Sequence, residues 1–509
     1  MYFYLMFVRK IRHSNGNIYI QAVEKQRGKY FVRKSFGSAK NKEELKSLIF
    51  QANKWIKYNQ GIQEFDFFNE KELFQTMLSS ITSHNLVGIE LVLGKIFDQI
   101  GFNRIKDPIF KDLVLYRLIF PKSKLKTTEY MSRFAHKNYS EDDVYRYMDK
   151  LWNTQKELVQ NISYEHTLKI LSGGMHVVFY DVTTIYFETD YEDDFRKTGF
   201  SKEGKHQKPQ IVLGLLVSEG GYPLAYEIFE GKQYEGHTMI PIIEGFVEKY
   251  SLDRLVVVAD SGLLSNDNIN ELIAKKYEFI LGARIKNEKQ DIKDKILALD
   301  LKNGESKIIK KDRLKLIITY SEDRAKKDKY NRDKGLKRLE KKLKSSKLTK
   351  TSINNRGYNK FLEMDGEVHI KINKDKIKAD EKWDGLKGYL TNSNLRKDQI
   401  LKNYKQLWII EKAFRIAKTD LKIRPVFHYK KRRIEAHICL NFVAYKVYKE
   451  LERLLKEKKS DLSPEKVIDI VQSIYEIQIT TPNSKDIIKK TILLTDEHRQ
   501  ISKLFDFGC

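Results

Sequence analysis

Two short apolar runs in this sequence each end on an aspartate. Residues 175–181 read Met-His-Val-Val-Phe-Tyr-Asp, and residues 254–260 read Arg-Leu-Val-Val-Val-Ala-Asp. Runs of this length and composition are typical of strands buried on both faces. In α/β sheets the carboxyl ends of the strands form the site, so an acid at that exit faces the crevice. One such aspartate can simply cap a turn, but two indicate a site shared by Asp181 and Asp260.

The residues around these runs predict an α/β fold. Together with the two runs, the other predicted elements follow the order β-β-β-α-β-α-β. This order describes an antiparallel hairpin unit followed by α/β crossovers, and it makes the two aspartate-bearing strands neighbours. The other elements are strands at 210–217, 223–229 and 277–283 and helices at about 237–250 and 266–275.

The whole chain divides into six predicted regions. In the second of them, helix-turn-helix DNA binding and plain helical packing both remain open. The regions are a small basic β domain at 1–40, a helical and possibly DNA-binding region at 41–173, the first part of the α/β core at 174–283, strand-like runs with a lysine-rich helix at 284–400, further core helices at 401–456 and a helical tail at 457–509.

The charge of the chain favours a polyanionic partner. The formal net charge is +26 and the sequence pI is about 9.5, which indicates nucleic acid first and an anionic membrane surface second. Lysine-rich coding in an AT-rich genome is the alternative explanation. No apolar stretch approaches the roughly 18 residues of a membrane span, so no membrane partner is expected. Two cysteines, Cys439 and Cys509, allow no disulfide framework, which fits a reducing cytoplasm.

A third acid, Glu411, lies on a predicted amphipathic helix. Polar residues repeat there at spacings of three and four, which places them on one helical face: Tyr404, Trp408, Glu411, Arg415 and Lys418. The alternative is a solvated Glu–Arg pair on an ordinary amphipathic helix. Three converging carboxylates would repel each other without cations. Hard divalent ions resolve that repulsion, and two of them can promote phosphoryl transfer by binding the attacking and leaving oxygens.

Around these three acids the sequence resembles a DDE-type insertion-sequence transposase of bacteria. The third block is similar to the Tyr-Arg-Glu-Lys signature of one large transposase group, with Tyr404, Glu411 and Lys418 at its spacing and Leu407 in place of its arginine. Arg415 and Lys412 are candidates to replace that arginine. The blocks that carry the resemblance are 180–187, 199–202 and 209–215 for the first, 258–265 for the second and 404–418 with 421–428 for the third, together with 387–392.

The resemblance implies a fold and a metal site. The implied fold is an α/β ribonuclease-H-like (retroviral-integrase-like) catalytic core with a mostly β insertion at 284–400, plus an N-terminal small β meander and a helical region. The implied cofactor is a pair of Mg²⁺ (or Mn²⁺) ions held by Asp181, Asp260 and Glu411. For Trp383, stacking on a flipped DNA base and ordinary packing both remain open.

The expected DNA contacts cluster around the catalytic helix and the basic segment that follows it, because the substrate must pass nearby. They are Tyr404, Arg415, Lys418, Lys422, Arg424, His428, Lys430 and Arg432, with Trp383 in addition.

The resemblance implies cut-and-paste DNA transposition. Cleavage at the terminal inverted repeats of an insertion sequence would free a 3′-hydroxyl, and strand transfer would join that hydroxyl to target DNA. A homodimer in a synaptic complex, associated with the nucleoid in a bacterial cytoplasm, is expected. Two alternatives remain: a ribonuclease-H-like DNA nuclease without strand transfer, and a transposase-derived protein that only binds DNA.

Overall fold

The computed structural model divides the chain into two compact units. One comprises Met1–Thr82 with Gln478–Ile488, and the other comprises Ser83–Ile477 with Lys489–Cys509. Of the residues singled out above, Lys202, Leu264, Pro425 and Cys509 lie outside the described part of the chain. The structure describes residues 6–14, 16–61, 70–172, 174–201, 204–252, 254–263, 265–345, 348–354, 357–365, 369–424, 426–480 and 486–507.

The first unit contains the predicted β meander. Its three strands pair antiparallel in chain order, and β2 buries Ile20, Ala22 and Val23. The β2–β3 turn places Arg27 and Gly28 at positive φ, the geometry of a two-residue hairpin turn whose twist matches that of the strands. The elements are β1 (Met6–Arg12), β2 (Ile18–Gln26), β3 (Lys29–Ala39), α1 (Lys42–Asn59) and α2 (Glu70–Ser79).

A strand and five short helices follow. The helix that follows Ser140 begins with a capping box, because the Ser140 hydroxyl accepts a hydrogen bond from Asp143 N–H and the Asp143 carboxylate accepts one from Ser140 N–H. The elements are β4 (Ile81–Leu86), α3 (Lys95–Ile100), α4 (Pro108–Ile119), α5 (Lys124–Ala135), α6 (Glu141–Thr154) and α7 (Lys156–Ile170).

The large mixed sheet begins with the predicted α/β elements in their predicted order. Strands β5, β8 and β9 run parallel to each other. On the other side of β5, β6 pairs antiparallel with β5, and β7 pairs antiparallel with β6. The elements are β5 (Val177–Tyr186), β6 (Gln210–Ser218), β7 (Pro223–Glu230), α8 (Met239–Tyr250), β8 (Val256–Ala259), α9 (Asn266–Ala274) and β9 (Glu278–Ala283).

Residues 284–400 are less β-rich and less separate than the sequence predicts. Three of their strands join the large sheet, whose order is β10-β11-β14-β9-β8-β5-β6-β7, while β12 and β13 pair with each other. Three helices accompany them, and α11 alone has 23 residues. The elements are α10 (Gln290–Leu297), β10 (Ser306–Lys311), β11 (Leu314–Tyr320), α11 (Glu322–Lys344), β12 (Leu362–Asp365), β13 (His369–Ile372), α12 (Lys374–Glu381) and β14 (Leu386–Thr391).

The C-terminal part corrects two predictions. The amphipathic helix predicted to carry Tyr404 to Lys418 on one face is broken near Leu407, and the tail at 457–509, predicted to be helical, contains two strands that form a sheet with β4 in the order β16-β15-β4. A strand that pairs with a segment almost 400 residues earlier has no local signal of its partner. The elements are α13 (Lys397–Lys405), α14 (Trp408–Thr419), α15 (Lys431–Glu457), α16 (Pro464–Val471), β15 (Tyr475–Thr480), β16 (Ile487–Ile492) and α17 (Asp496–Phe505).

The large sheet has a hydrophobic core on each face. Val177 and Phe179 of β5 belong to the core that includes α14 and α15, whereas Val178 and Tyr180 belong to the core that includes α8 and α9. This alternation decides which face each acidic side chain takes. None of the helices formed by the described residues combines the length and apolar character that a membrane crossing requires.

The pairing of β10 with β11 yields a matched stability test. Ile317 is 0% exposed and lies in the same core as α14, while its cross-strand partner Ile308 is 49% exposed. We expect Ile317→Ala to lower the free energy of unfolding by about 2–5 kcal/mol and Ile308→Ala by about 0.5 kcal/mol in urea titrations. Equal losses would contradict the placement of β11 inside the large sheet.

Candidate active site

Asp181 and Asp260 occupy adjacent backbone positions on neighbouring strands. Residues 177–180 of β5 pair in parallel register with residues 256–259 of β8, and each aspartate is the next residue of its chain segment. Neighbouring strands lie about 4.8 Å apart, so the two carboxylates start from neighbouring points. Because Phe179 and Val258 face the core that includes α14, the alternation directs Asp181 to the same side. Asp181 is half-buried and Asp260 is exposed.

The turn that follows Asp260 is held in place by residues on and just after β9. Strand β8 ends at Ala259, and Arg284 holds the turn that follows Asp260 by donating hydrogen bonds from Nε to the Ser261 carbonyl (3.1 Å) and from Nη2 to the Gly262 carbonyl (3.3 Å). Gly282 on β9 lies against this turn. A Cβ at position 282 would overlap the Tyr404 hydroxyl and approach Ser261 N to 2.9 Å, so only glycine fits there.

Helix α14 carries Glu411 over the same face of the sheet. Ile410, Ala413 and Phe414 are buried in the core shared with β5, and the helix packs against that strand. Glu411 lies on the opposite, exposed side of α14. The amphipathic stripe predicted from the sequence therefore has its apolar half inward and its acid outward.

Tyr404 links Asp260 to the region of Glu411. Its hydroxyl donates a hydrogen bond to Asp260 Oδ1 at 3.1 Å, and its side chain is 4% exposed. Burial raises the pKa of Tyr404, and the negative charges of Asp260 and Glu411 raise it further. The hydroxyl is therefore a proton donor to the carboxylate throughout the neutral pH range.

Lys387 is a cation that the sequence analysis did not assign to the site. Its Nζ lies 4.7 Å from the centre of the Tyr404 ring. Burial and the nearby Arg324 lower the pKa of Lys387, whereas Asp260 and Glu411 raise it. Asp260 and Glu411 thus act on the same two groups, Tyr404 and Lys387. The block 387–392 in the sequence contained this residue and was the available signal for it.

A cavity of about 540 Å³ opens beside Asp260. Its wall includes the basic residues Arg284, Arg324 and Lys387. It also includes the half-buried Trp383, which packs against the core that contains α8 and α9. Asp181 and Glu411 do not line this cavity.

Several charges in the cavity wall already have partners. Arg332 donates two hydrogen bonds to Asp384, at 2.6 and 2.7 Å. The Asp380 carboxylate accepts hydrogen bonds from Lys286 and Lys360. These pairs tie α11 to the residues that precede β14 and α12 to the residues that follow β9, and so give the cavity a defined wall.

The donor set fits a hard divalent cation in kind. Asp181, Asp260 and Glu411 offer only carboxylate oxygens, and two of the three are adjacent by strand register. Within the described residues, no three side chains of the His, Cys, Asp or Glu types already stand close enough to hold a metal ion. The structure thus brings Asp181 and Asp260 into adjacent register and Glu411 onto the same face, without a preformed cage.

The residues predicted to contact DNA differ in exposure. Arg415, Lys422 and Lys430 are exposed, whereas Lys418 and Arg424 are half-buried. Others already have protein surroundings of their own: Tyr404 is 4% exposed and donates its hydroxyl hydrogen bond to Asp260. Arg432 pairs with Asp149, and His428 is only 8% exposed.

Leu407, the residue at the signature's arginine position, is buried at the break between α13 and α14. Of the two candidates to replace that arginine, Lys412 pairs with Glu452, which also binds Lys449. Arg415 lies exposed one helical turn after Glu411.

A family model described as the transposase DDE domain matches residues 172–446, just over half of the 509-residue chain. The structure of piggyBac transposase in a synaptic complex with hairpin DNA is 10% identical with a TM-score of 0.35, and the match covers 77% of this chain and 80% of that one. The Mos1 transposase paired-end complex with the left transposon end is 13% identical with a TM-score of 0.16, over 31% and 53% of the two chains. No curated protein matches the chain.

The burial of His428 predicts a pH dependence of stability. Burial, then Lys124, Arg117 and Arg433, lowers the pKa of His428 to about 3. Below pH 6.5 the unfolded histidine takes up a proton that the folded one does not, so stability falls as the pH drops from about 6.5 towards 3. We expect His428→Gln to reduce this acid-side loss in urea titrations between pH 7 and pH 4.5. The exposed His237→Gln is the control, and an unchanged slope in His428→Gln would contradict the prediction.

Proposed function

Because this chain belongs to the transposase DDE domain family, we propose that it cleaves DNA at the ends of an insertion sequence and joins the freed 3′-hydroxyl to target DNA. The observation that carries the proposal is the parallel register of β5 and β8, which makes Asp181 and Asp260 neighbours beneath the helix of Glu411. This arrangement suits phosphoryl transfer, where catalysis is mainly positioning and charge stabilisation.

We propose that Asp181, Asp260 and Glu411 hold two Mg²⁺ or Mn²⁺ ions. When bound, such a pair supplies charge stabilisation to the attacking and leaving oxygens of an in-line displacement. Tyr404 orients the Asp260 carboxylate through its 3.1 Å hydrogen bond and leaves the second oxygen, Oδ2, for other partners. Glu411 would complete the set from α14, where its side chain is exposed.

The cations around Asp260 suit a polyanionic substrate. Arg284, Arg324 and Lys387 line one side of the cavity beside Asp260, where they can neutralise the phosphates that flank the scissile bond. On α14, Arg415 is the better replacement for the signature's arginine, because Lys412 is engaged by Glu452. Further along the chain, the basic surface continues with Lys418, Lys422, Arg424 and Lys430. By contrast, Arg432 and His428 contact DNA only if their protein contacts change.

Trp383 is proposed to stack on a DNA base displaced from the duplex. It shares the cavity with Asp260, so a base held there would belong to a nucleotide close to the scissile phosphate. The indole is half-buried, with one part packed on the core and the rest available in the cavity. Ordinary packing remains the competing role.

The proposed partners follow from the reaction. Two element ends must be held together, so a homodimer bound to terminal inverted repeats and target DNA is the working assembly. The proposed compartment is the nucleoid of a bacterial cytoplasm. The DNA that flanks the gene offers an independent check, because an insertion sequence has matched inverted repeats bounded by short direct repeats.

Removal of any one carboxylate tests the catalytic assignment. We expect Asp181→Asn, Asp260→Asn and Glu411→Gln each to reduce Mg²⁺- or Mn²⁺-dependent cleavage of an inverted-repeat duplex at least about 100-fold, because transition-state charge loses its stabilisation. DNA binding without metal, measured by fluorescence anisotropy, should remain. The matched control is Asp194→Asn, because the Asp194 side chain is exposed in the connection between β5 and β6, and this variant should cleave normally. Cleavage at the wild-type rate by Glu411→Gln would remove that residue from the site.

The same preparations separate the proposal from its alternatives. Pre-cleaved ends with a free 3′-hydroxyl and a target plasmid should yield joined products with the wild-type protein. A nuclease without strand transfer would cut the intact end and give no joined product. A protein that only binds DNA would do neither.

Replacement of Trp383 tests the stacking role. With 2-aminopurine at the terminal position of the element end, we expect the wild-type protein to change the fluorescence of that base and Trp383→Ala to lose most of the change. Affinity for the end should fall by about 5- to 100-fold, the effect of one lost base–aromatic stack. Trp383→Phe should retain part of both. Unchanged fluorescence with lowered thermal stability would assign Trp383 to packing alone.

A further inference from the structure

A second cavity, of about 270 Å³, lies apart from Asp260 and shares no lining residue with the first. It is enclosed by the end of α4, the start of α5, the segment that follows α14 and the first turns of α15. Its wall includes Arg117, Lys124, His428 and His437, and its rim includes the exposed Lys122 and Lys422. Every one of these six side chains is basic.

Two of these cations are buried without an acidic partner. Arg117 is 6% exposed and Lys124 is 5% exposed. Among the described residues, neither side chain forms an ion pair or donates a hydrogen bond. No carboxylate in the described part of the chain contributes to the electrostatic surroundings of either group, and burial lowers the pKa of both. A buried charge is costly unless it is paired, so this arrangement calls for a counter-ion.

Two acids of α6, the helix that contributes Glu141 and Tyr145 to the cavity wall, are already engaged elsewhere. Glu141 lines the cavity, but its carboxylate interacts with the Tyr145 hydroxyl. Asp149 binds both Arg432 and Arg433. The protein therefore offers neither of these carboxylates to Arg117 or Lys124.

A further feature of the cavity favours an anion. The N-terminus of α5 opens onto it, since Ser123, Lys124 and Leu125 all line the wall, and the positive end of a helix attracts negative charge.

We propose that this second cavity binds a phosphate group, with Arg117 and Lys124 as its principal ligands. Phosphate presents several charged oxygens, which match two cations that approach from different helices. The phosphate is either a free anion or one phosphate of a DNA backbone. In the latter case the inference rests on the proposed function, and it adds a DNA contact from the helical region before the large sheet.

Inorganic phosphate is the first probe. Thermal unfolding of the full chain is compared in phosphate and in chloride at equal ionic strength. We expect tens of millimolar phosphate to raise the wild-type Tm by about 2 °C or more and to leave Lys124→Met and Arg117→Gln unshifted. The exposed Lys106→Met removes the same charge outside the cavity and should respond like the wild type. Without phosphate, Lys124→Met should be at least as stable as the wild type, because a buried unpaired charge is gone.

A DNA duplex is the second probe, and it distinguishes the two sources. If the ligand is a backbone phosphate, Lys124→Met should weaken duplex binding about tenfold and reduce the dependence of log K on log salt by about one unit. If the ligand is a free anion, only the phosphate-induced Tm shift should be lost. Equal behaviour of wild type, Lys124→Met and Arg117→Gln with both probes would overturn the proposal.

The outcome is independent of catalysis. The Tm shift by phosphate requires neither metal nor cleavage, so a loss of the proposed transposase activity would leave it unchanged. Conversely, failure of the phosphate site would leave the effect of Glu411→Gln on cleavage as it stands.

Discussion

The parallel pairing of β5 with β8 is the contact on which the candidate site depends. Four consecutive residue pairs, from Val177–Val256 to Tyr180–Ala259, set a register in which the next residue of each strand is an aspartate. A slip by one residue would send one carboxylate to the opposite face of the sheet. The register is strongly specified because both faces of these strands are buried, each in its own core.

The electrostatics around the carboxylates support that geometry. The Tyr404 hydroxyl donates a hydrogen bond to one oxygen of Asp260. The negative charges of Asp260 and Glu411 both act to raise the pKa of Lys387. Cations on the cavity wall offset part of the repulsion between the acidic side chains of the candidate site. Bound metal ions would offset the rest. The candidate site thus combines acidic side chains with basic residues on the cavity wall, a charge pattern that suits the proposed DNA substrate.

Much of the site was readable in the sequence because its signals are local. The two apolar runs before Asp181 and Asp260 appear as strands, and the three- and four-residue spacing around Glu411 appears as a helix with its apolar side inward. Other features had no local signal. Lys387 reaches Tyr404 only because β14 pairs with β9, and β15 pairs with β4 across almost the whole chain. The burial of Arg117 and Lys124 depends on a segment about 300 residues later, near His428.

By itself, the sequence determined the strands and helices of residues 174–283, the residue types at the ends of those strands, and the large positive charge, since each of these is a property of neighbouring residues or of composition. It did not determine the two strands of the tail or the helix break near Leu407. Only the tertiary structure decided that residues 284–400 extend the large sheet, that Tyr404 meets Asp260, and that two buried cations face one cavity without an acid. The physical reason is that strand order and side-chain encounters minimise exposed apolar surface over the whole chain. That balance is not encoded within any single window of residues.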